Sequence, residues 1–200
     1  MNQGFNHQKH KIVCLLGVSS TGKSYLINSL IKLRQDWTYS PSYTTRQREK
    51  RDELFDNNIH LSKSEFIEQW HKNKLIGVIR IHQNYYDQNI NEVYKKLVSK
   101  NVICVLHYSN IKEWKERFPS TIFVYIYPGD FFKWLKIFLS RESSLINKIS
   151  RLVNGLFEIL TIQLYSRMID YRIGNDFTEA TIDDFLKTVD RIATETLLNV

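Results

Sequence analysis

Residues 17–24 constrain the fold more than any other part of this sequence. They match the pattern G-x-x-x-x-G-K-[ST] at every specified position. The uninterrupted aliphatic run Ile12–Leu16 precedes them, and apolar residues recur at helical spacing from Leu26 to Ile31. A buried strand, this loop and a helix, in that order, are the arrangement in which the pattern binds phosphate groups. The sequence therefore predicts a phosphate-binding loop between a strand and a helix.

Each specified position of this loop has a physical role in binding a nucleotide. Gly17 and Gly22 let the backbone turn its N–H groups inward, and the helix that follows adds the partial positive charge of its N-terminus. We expect Lys23 to reach the β- and γ-phosphates of ATP, and the Ser24 hydroxyl to join the coordination shell of Mg²⁺. ATP and Mg²⁺ are thus the predicted cofactors. The predicted nucleotide-binding residues of the loop are Gly17, Ser19, Ser20, Thr21, Gly22, Lys23 and Ser24.

The rest of the chain continues the alternation of strand and helix. Residues 102–107 and 122–127 are short runs rich in β-branched and aromatic side chains, which is typical of buried strands. The apolar residues between 111 and 118, and those between 182 and 192, each mark one face of a helix. Strands that alternate with helices form right-handed βαβ units. We therefore predict an α/β protein with the three-layer fold of P-loop NTPases, in which helices flank a mostly parallel sheet.

The 200 residues, 42% of them apolar, have room for one domain with a substantial core. Residues 42–90 interrupt the alternation with polar, basic and aromatic side chains, and Ser62 and Glu65 have the spacing of a capping box for a helix that runs to about residue 72. The predicted boundaries are 1–10 for a flexible tail, 11–200 for a single domain, 11–41, 91–135 and 153–200 for its core, 42–90 for an acceptor-binding insert and 136–152 for a lid.

The composition indicates which kinds of partner and which cellular compartment to expect for this protein. The formal net charge of +7 favours anionic partners, although an ordinary basic surface would also explain it. Cys14 and Cys104 lie in apolar runs and are interpreted as small buried residues of a protein in a reducing compartment. The N-terminus lacks the apolar region of a signal peptide, and no run approaches the roughly 20 apolar residues that span a bilayer. We expect a cytoplasmic protein without a membrane segment.

Beyond residue 41 the chain resembles the guanylate kinase family in the order and spacing of several short motifs. The family's S-x-T-T-R corresponds to residues 42–46, and its paired tyrosines correspond to Tyr85 and Tyr86. Ser62 and Phe66 match the start of a helix that the family also has. Later matches are Arg151, Leu152 and Glu158 in the lid segment, and Gly174, Asn175 and Asp176 after the last strand.

The resemblance implies a phosphotransferase that moves the γ-phosphoryl group of ATP to a phosphorylated acceptor. It adds Asn175 and Asp176 to the residues that bind ATP, and it makes Arg141 and Arg151 the lid arginines that close on the phosphates. Arg46 and Tyr86 correspond to residues that hold the acceptor's phosphate, and Ser42 to a residue that contacts its base. The catalytic residues predicted on this basis are Lys23, Arg46, Arg141 and Arg151.

The acceptor site departs from the family pattern at several positions. The family's second phosphate-binding arginine falls on Glu49, which Arg48 and Arg51 flank, and its phosphate-binding tyrosine falls on Asn58. The acidic residue that reads guanine falls on Gly77, its Ser/Thr neighbour on Gln88, and the aspartate of the following strand near His107. The substrate-binding residues predicted from both matches and departures are Ser42, Arg46, Arg48, Arg51, Tyr86, Gln88 and His107.

These departures leave the identity of the acceptor open. A phosphate would still be held, whereas guanine would lose its carboxylate partner, so both a nucleoside monophosphate such as GMP and a sugar phosphate are expected candidates. The related ribose 1,5-bisphosphate phosphokinase is similar in lacking guanine-reading carboxylates.

Two other functions compete with a small-molecule kinase. A weakly active or inactive binding protein that recognises a phosphorylated partner would explain the missing acidic residues, although the intact phosphate-binding loop opposes it. An enzyme of nucleic acids would explain the basic charge, but the tyrosines among the basic residues are better explained as insert core and phosphate donors. We expect a nucleotide and a phosphorylated small molecule as partners, leave a protein partner open, and do not expect nucleic acid or membrane.

Overall fold

The structure of the protein, a computed structural model, describes residues 10–47, 58–81, 83–140 and 145–195. The strands in this part of the chain are β1 (Ile12–Leu16), β2 (Trp37–Ser40), β3 (Ser42–Thr44), β4 (Ile59–His60), β5 (Leu75–Ile81), β6 (Asn84–Asn89), β7 (Asn101–Val105), β8 (Ile122–Pro128) and β9 (Tyr171–Asn175). The helices are α1 (Lys23–Leu33), α2 (Lys63–His71), α3 (Ile90–Leu97), α4 (Ile111–Arg117), α5 (Phe131–Ser140), α6 (Leu145–Thr161) and α7 (Glu179–Thr194). Two 3₁₀ segments, Tyr108–Asn110 and Ile162–Met168, complete the described elements.

The central sheet has five parallel strands in the order β2-β7-β1-β8-β9. Successive side chains of a strand point to opposite faces, and both faces of β1 are covered. Ile12, Cys14 and Leu16 pack in the cluster that contains Trp114 of α4. Val13 and Leu15 pack in the other cluster, with α1 and α7. Burial of each such aliphatic side chain stabilises the fold by about 1.5–3 kcal/mol. Because helices cover both faces of a parallel sheet, the predicted three-layer α/β fold is confirmed.

The two cysteines meet at the centre of this sheet. Cys14 on β1 is the direct partner of Cys104 on β7, and their sulfur atoms lie 3.2 Å apart. Both are free thiols without solvent exposure. Burial raises the pKa of Cys14, which keeps the thiol protonated and unreactive.

A second, four-stranded sheet in the order β4-β3-β6-β5 lies within the segment predicted as an insert. Its strands were not predicted, because their side chains do not alternate clearly between apolar and polar. The helix predicted in this segment is present as α2. Ser62 and Glu65 form the complete capping box: the backbone N–H of Glu65 donates to the Ser62 hydroxyl, and the Ser62 N–H donates to the Glu65 carboxylate at 2.7 Å. Phe66, the buried residue of α2, stacks on Tyr85 of β6.

One predicted strand is shorter than expected. The strand predicted over residues 102–107 ends at Val105, because His107 accepts a hydrogen bond from the Ser109 N–H and so begins the 3₁₀ turn Tyr108–Asn110.

The predicted lid covers the end of α5 and the start of α6, with residues 141–144 outside the described part of the chain. The predicted tail, apart from His10, also lies outside it. Within the described ranges, no helix is long and apolar enough to cross a membrane.

Candidate active site

The phosphate-binding loop turns between β1 and α1 at two glycines that leave no room for a side chain. Gly17 has φ +140°, and a Cβ atom there would lie 2.2 Å from the carbonyl oxygen of Ile126 on β8. Gly22 has φ +84°, and its Cβ would lie 2.2 Å from the amide nitrogen of Asn175. Backbone conformation and space therefore both require glycine. Between them, Thr21 Oγ1 donates to the carbonyl oxygen of Val18 at 2.9 Å and helps to hold the loop curved.

Lys23 and Ser24 begin α1, at the positively polarised end of the helix dipole. The Lys23 ammonium donates to the carbonyl oxygens of Gly17 and of Val18, the latter at 2.7 Å, so it lies across the loop. Ser24 and Ser19 are exposed, and Ser20 is buried with φ 65°.

The end of β9 supports the phosphate-binding loop from one side. Buried Asn175 donates from Nδ2 to the carbonyl oxygen of Thr21 at 2.8 Å. Asp176 accepts hydrogen bonds from the hydroxyl of Thr178, the residue before α7, and from the hydroxyl of Thr181 in the first turn of α7. The bond from Thr178 is the main cause of the lowered pKa of Asp176. The structure thus gives both residues supporting contacts, and their contact with a nucleotide stays a prediction.

Strands β3 and β6 assemble residues of the predicted acceptor site that are some 40 positions apart in sequence. Ser42 pairs with Gln88, and Thr44 pairs with Tyr86. Because side chains alternate along a strand, Ser42, Tyr86 and Gln88 share one face of this sheet. Arg46 lies two residues after the end of β3, and its backbone N–H donates to Thr44 Oγ1 at 3.1 Å.

Gln88 connects this sheet to the central sheet. Its side chain is 1% exposed, and Nε2 donates to Ser42 Oγ at 2.7 Å and to the carbonyl oxygen of Val105 at 3.1 Å. Its Oε1 accepts no hydrogen bond from the described residues. Since Val105 ends β7 two residues before His107, the acceptor sheet meets the central sheet at its carboxyl edge, where α/β proteins bind ligands.

The side chains of several predicted site residues are not among those that the structure describes. Arg48, Arg51 and Arg141 lie outside the described residues. Arg151 belongs to α6, but its side chain is among those that the structure does not describe. Their roles stay predictions.

A comparison with protein families agrees with this geometry. The family model described as guanylate kinase matches residues 9–191. The chain belongs to the guanylate kinase family. The predicted P-loop kinase of nucleoside-monophosphate-kinase type is thereby confirmed.

Individual guanylate kinases align with nearly the whole chain at low identity. The guanylate kinase of Prochlorococcus marinus is 23% identical over 181 residues, covering 90% of this chain and 96% of the relative. That of Thermotoga maritima is 21% identical, covering 88% of this chain and 84% of the relative. The crystal structure of guanylate kinase from Anaplasma phagocytophilum superposes with a TM-score of 0.68 at 17% identity, over 94% of this chain and 88% of that one. This structural likeness supports the fold.

The position where the guanylate kinase resemblance expects an acidic residue cannot hold one in this backbone. Gly77 has φ +75° at an irregularity of β5, and a Cβ atom would lie 2.7 Å from the Asn110 side chain. The Asn110 amide instead donates to the carbonyl oxygen of Gly77. A buried amide thus occupies the space that a carboxylate would need. Sequence reasoning did not single out Asn110, which has no motif of its own.

Asp87, beside Gln88 on β6, is a buried carboxyl that sequence reasoning also missed. It accepts a hydrogen bond from the Gln88 backbone N–H. Burial is the main cause that raises the pKa of Asp87 to about 9, and the groups acting on that pKa include no cation. At neutral pH the side chain is therefore a carboxylic acid. Its only sequence signal is a polar residue within a strand.

His107 and Glu158 face each other beside the phosphate-binding loop. His107 Nε2 lies 3.7 Å from a carboxylate oxygen of Glu158 on α6. Burial, together with the Lys23 charge, lowers the pKa of His107 to about 4, while burial raises the pKa of Glu158 against the opposing effect of Lys23. The distance alone would qualify as an ion pair, but the imidazole is neutral at pH 7, and we treat the contact as a polar one. Residues 102–107, the predicted strand and the turn that follows it, carry no carboxylate, so Glu158 brings a carboxyl group to this site from α6.

Trp134 braces the phosphate-binding loop from α5. Its indole N–H donates to the carbonyl oxygen of Ser19 at 3.0 Å, and its ring is fully buried with Val18 and Phe138. No sequence motif marks this contact, because it joins residues 115 positions apart.

Proposed function

We propose that the protein is an ATP-dependent guanylate kinase that transfers the γ-phosphoryl group of ATP to GMP. The observation that supports it most is the intact phosphate-binding loop, set at the same sheet edge as an acceptor sheet that carries Ser42, Arg46, Tyr86 and Gln88. The names of the aligned relatives favour GMP. They lend no support to a sugar phosphate or to a binding protein without activity.

In this proposal the base is read by neutral groups in place of a carboxylate. The Gln88 amide donates to the Ser42 hydroxyl, and a hydroxyl offers both a donor and an acceptor. Guanine also presents both, with O6 accepting and N1–H donating. Ser42 would donate to O6, and the buried Gln88 amide would hold the Ser42 hydroxyl in that orientation.

The phosphoryl transfer follows from the charges around the loop. An oxygen of the GMP phosphate attacks the γ-phosphorus of ATP, the bond to the bridging β–γ oxygen breaks, and ADP leaves. Lys23 would exchange the carbonyl oxygens of Gly17 and Val18 for phosphate oxygens and neutralise part of the charge. Arg46 and Tyr86 would hold the acceptor phosphate in line. Arg141 and Arg151 would close over the transferred group and exclude water.

The residues present fit a bound Mg²⁺. Ser24 exposes a hydroxyl at the start of α1, and Mg²⁺ prefers oxygen ligands while keeping several of its waters. When bound, Mg²⁺ would offset the negative charge of the phosphate groups. Glu158, on which the Lys23 charge acts, would hold a water of that shell from α6.

The test is ATP consumption with Mg²⁺ and a panel of acceptors: GMP, dGMP, AMP, CMP, UMP and ribose 1,5-bisphosphate. We expect turnover with GMP, and a loss of at least about 100-fold in kcat/KM for Lys23→Ala. Lys32→Ala, on an exposed part of the same helix, is the control and should retain activity. Turnover only with another acceptor would contradict the proposal for GMP, and no turnover with any acceptor would contradict the kinase itself.

A further inference from the structure

A groove lies where the helices α5 and α6 meet the ends of strands β8 and β9. Its walls include Tyr125, Tyr127 and Arg172 from the strands, Phe131 from α5 and Leu156 from α6. Its volume of about 450 Å³ lies within the range of about 300–1,000 Å³ that is typical of small-molecule sites. A small organic molecule would therefore fit in this groove.

The groove lies on the opposite face of the central sheet from α1. Tyr125 packs in the cluster that contains Trp114, whereas the next residue, Ile126, packs with α1. Tyr127 shares the face of Tyr125, because successive side chains of a strand point to opposite faces. None of the described residues that line the groove belongs to the predicted nucleotide or acceptor site. A ligand in the groove would therefore occupy a site of its own.

Aromatic rings form much of the lining. The ring centroids of Tyr125 and Tyr127 are 5.9 Å apart. Tyr127 pairs with Gly174 on β9, where a Cβ atom would lie 3.0 Å from the Tyr127 ring, so glycine lets this ring lie close against β9. Tyr127 is 39% exposed and Phe131 is 44% exposed, so both present ring surface that a ligand could cover. Because aromatic rings pack well by stacking or by edge-to-face contact, this surface favours a planar aromatic ligand.

Arg172 gives the groove a positive charge. Its guanidinium carbon lies 5.8 Å from the ring centroid of Tyr125, and its Nη1 donates to Oε1 of Gln163 at 3.3 Å. These two contacts orient the guanidinium, and no carboxylate in the described part of the chain forms an ion pair with it. Its remaining N–H groups match the paired oxygens of a carboxylate, sulfonate or phosphate.

We propose that this groove binds a planar aromatic molecule that carries one oxyanion group. The rings of the ligand lie against Tyr127 and Phe131, and its oxyanion pairs with Arg172. A neutral aliphatic molecule would gain neither the ring contacts nor the ion pair, so the lining selects an aromatic anion. The proposal does not depend on the proposed kinase activity, because none of these residues takes part in the phosphoryl transfer.

Two fluorescent probes separate the effect of the charge from that of the rings. The anionic probe is 8-anilinonaphthalene-1-sulfonate, and N-phenyl-1-naphthylamine has the same rings without the sulfonate. Titration of the full chain with the sulfonate probe should saturate at about one molecule per chain. Arg172→Gln should raise the Kd of the sulfonate probe at least about tenfold and that of the neutral probe less than about twofold, because only the former loses charge-assisted hydrogen bonds. Arg167→Gln, at an exposed position outside the groove, is the matched control and should change neither Kd.

Phe131→Ala and Phe132→Ala form a second matched pair. Phe131 lines the groove, whereas Phe132, which is 80% exposed on the same helix, does not. We expect Phe131→Ala to weaken the binding of both probes at least about fivefold, since both lose a ring contact, and Phe132→Ala to leave both unchanged. Circular dichroism of each variant checks that the fold is retained.

Three results would overturn the proposal. Binding that neither Arg172→Gln nor Phe131→Ala weakens would place the probe elsewhere on the surface. Equal losses of the two probes in Arg172→Gln would show that the groove does not recognise the negative charge. Complete displacement of the sulfonate probe by ATP and Mg²⁺ would identify its site as the nucleotide site.

Discussion

Asp87 shows how a single buried group can make stability depend on pH. Its pKa is raised from 3.8 to about 9, mainly by burial. Between these two values the unfolded chain releases a proton that the folded chain retains, so the free energy of unfolding falls as pH rises. Asp87→Asn removes this titration and keeps an oxygen that can accept from the Gln88 N–H.

We therefore expect the Asp87→Asn variant to be more stable than the wild type at pH 8, by at least about 1 kcal/mol, with a smaller advantage at pH 5. Urea unfolding at several pH values between these limits measures the difference. Asp183→Asn, at an exposed position of α7, controls for the change in net charge. Parallel stability curves for the wild type and Asp87→Asn would show that Asp87 is ionised in the folded state.

Trp134 tests whether α5 positions the phosphate-binding loop. Trp134→Phe removes the hydrogen bond to the Ser19 carbonyl, which is worth about 1 kcal/mol, and should weaken ATP binding about fivefold. Trp114→Phe is a matched control, since Trp114 is also fully buried and its indole N–H has no partner among the described residues. Calorimetric titration with ATP distinguishes the two. Equal losses of affinity in both variants would mean that general packing, and not the loop contact, is responsible.

At the scale of single elements, the capping box of α2 is a local signal with a measurable energy. Ser62→Ala removes the side-chain acceptor for the Glu65 N–H and should destabilise the protein by about 1 kcal/mol in urea unfolding. Ser99→Ala, at an exposed site outside the helices, should change stability by less than about 0.5 kcal/mol. A similar loss in both variants would show that the box contributes nothing beyond an ordinary surface serine.

Some strands and site residues could be predicted from the sequence, and others could not. Strands β1, β7 and β8 are apolar on both faces, so their composition alone identifies them as buried parallel strands. Strands β5 and β6 mix polar, aromatic and small residues, and their pairing depends on contacts with α2 and α4 that no local pattern encodes. The loop glycines were predictable because their motif is contiguous. The contacts of Asn110 and Trp134 could not be predicted, because each is a hydrogen bond between residues that are far apart in the sequence.

At the scale of the whole molecule, the question is whether the two sheets unfold together. They are joined by side chains that cross between them: Gln88 Nε2 donates to the carbonyl oxygen of Val105, and Asn110 donates to the carbonyl oxygen of Gly77. The hydroxyl of Tyr43 on β3 also donates to Glu92 of α3, which covers the central sheet. Since loss of the Gln88 or Asn110 contact would leave a buried polar group unpaired if one sheet opened alone, we expect a single cooperative unit.

The four tryptophans provide one probe for the second sheet and three for the core. Trp70 lies on α2, whereas Trp37, Trp114 and Trp134 are buried around the central sheet. With fluorine-labelled tryptophan, the NMR signals of all four should disappear at the same urea concentration. ATP at about 100 times its Kd should shift them together by about 2.7 kcal/mol, because a ligand of one cooperative unit stabilises all of it. Loss of the Trp70 signal at lower urea, or an ATP shift confined to the other three, would instead mean that the acceptor sheet is an independent unit that can open while the nucleotide site stays folded.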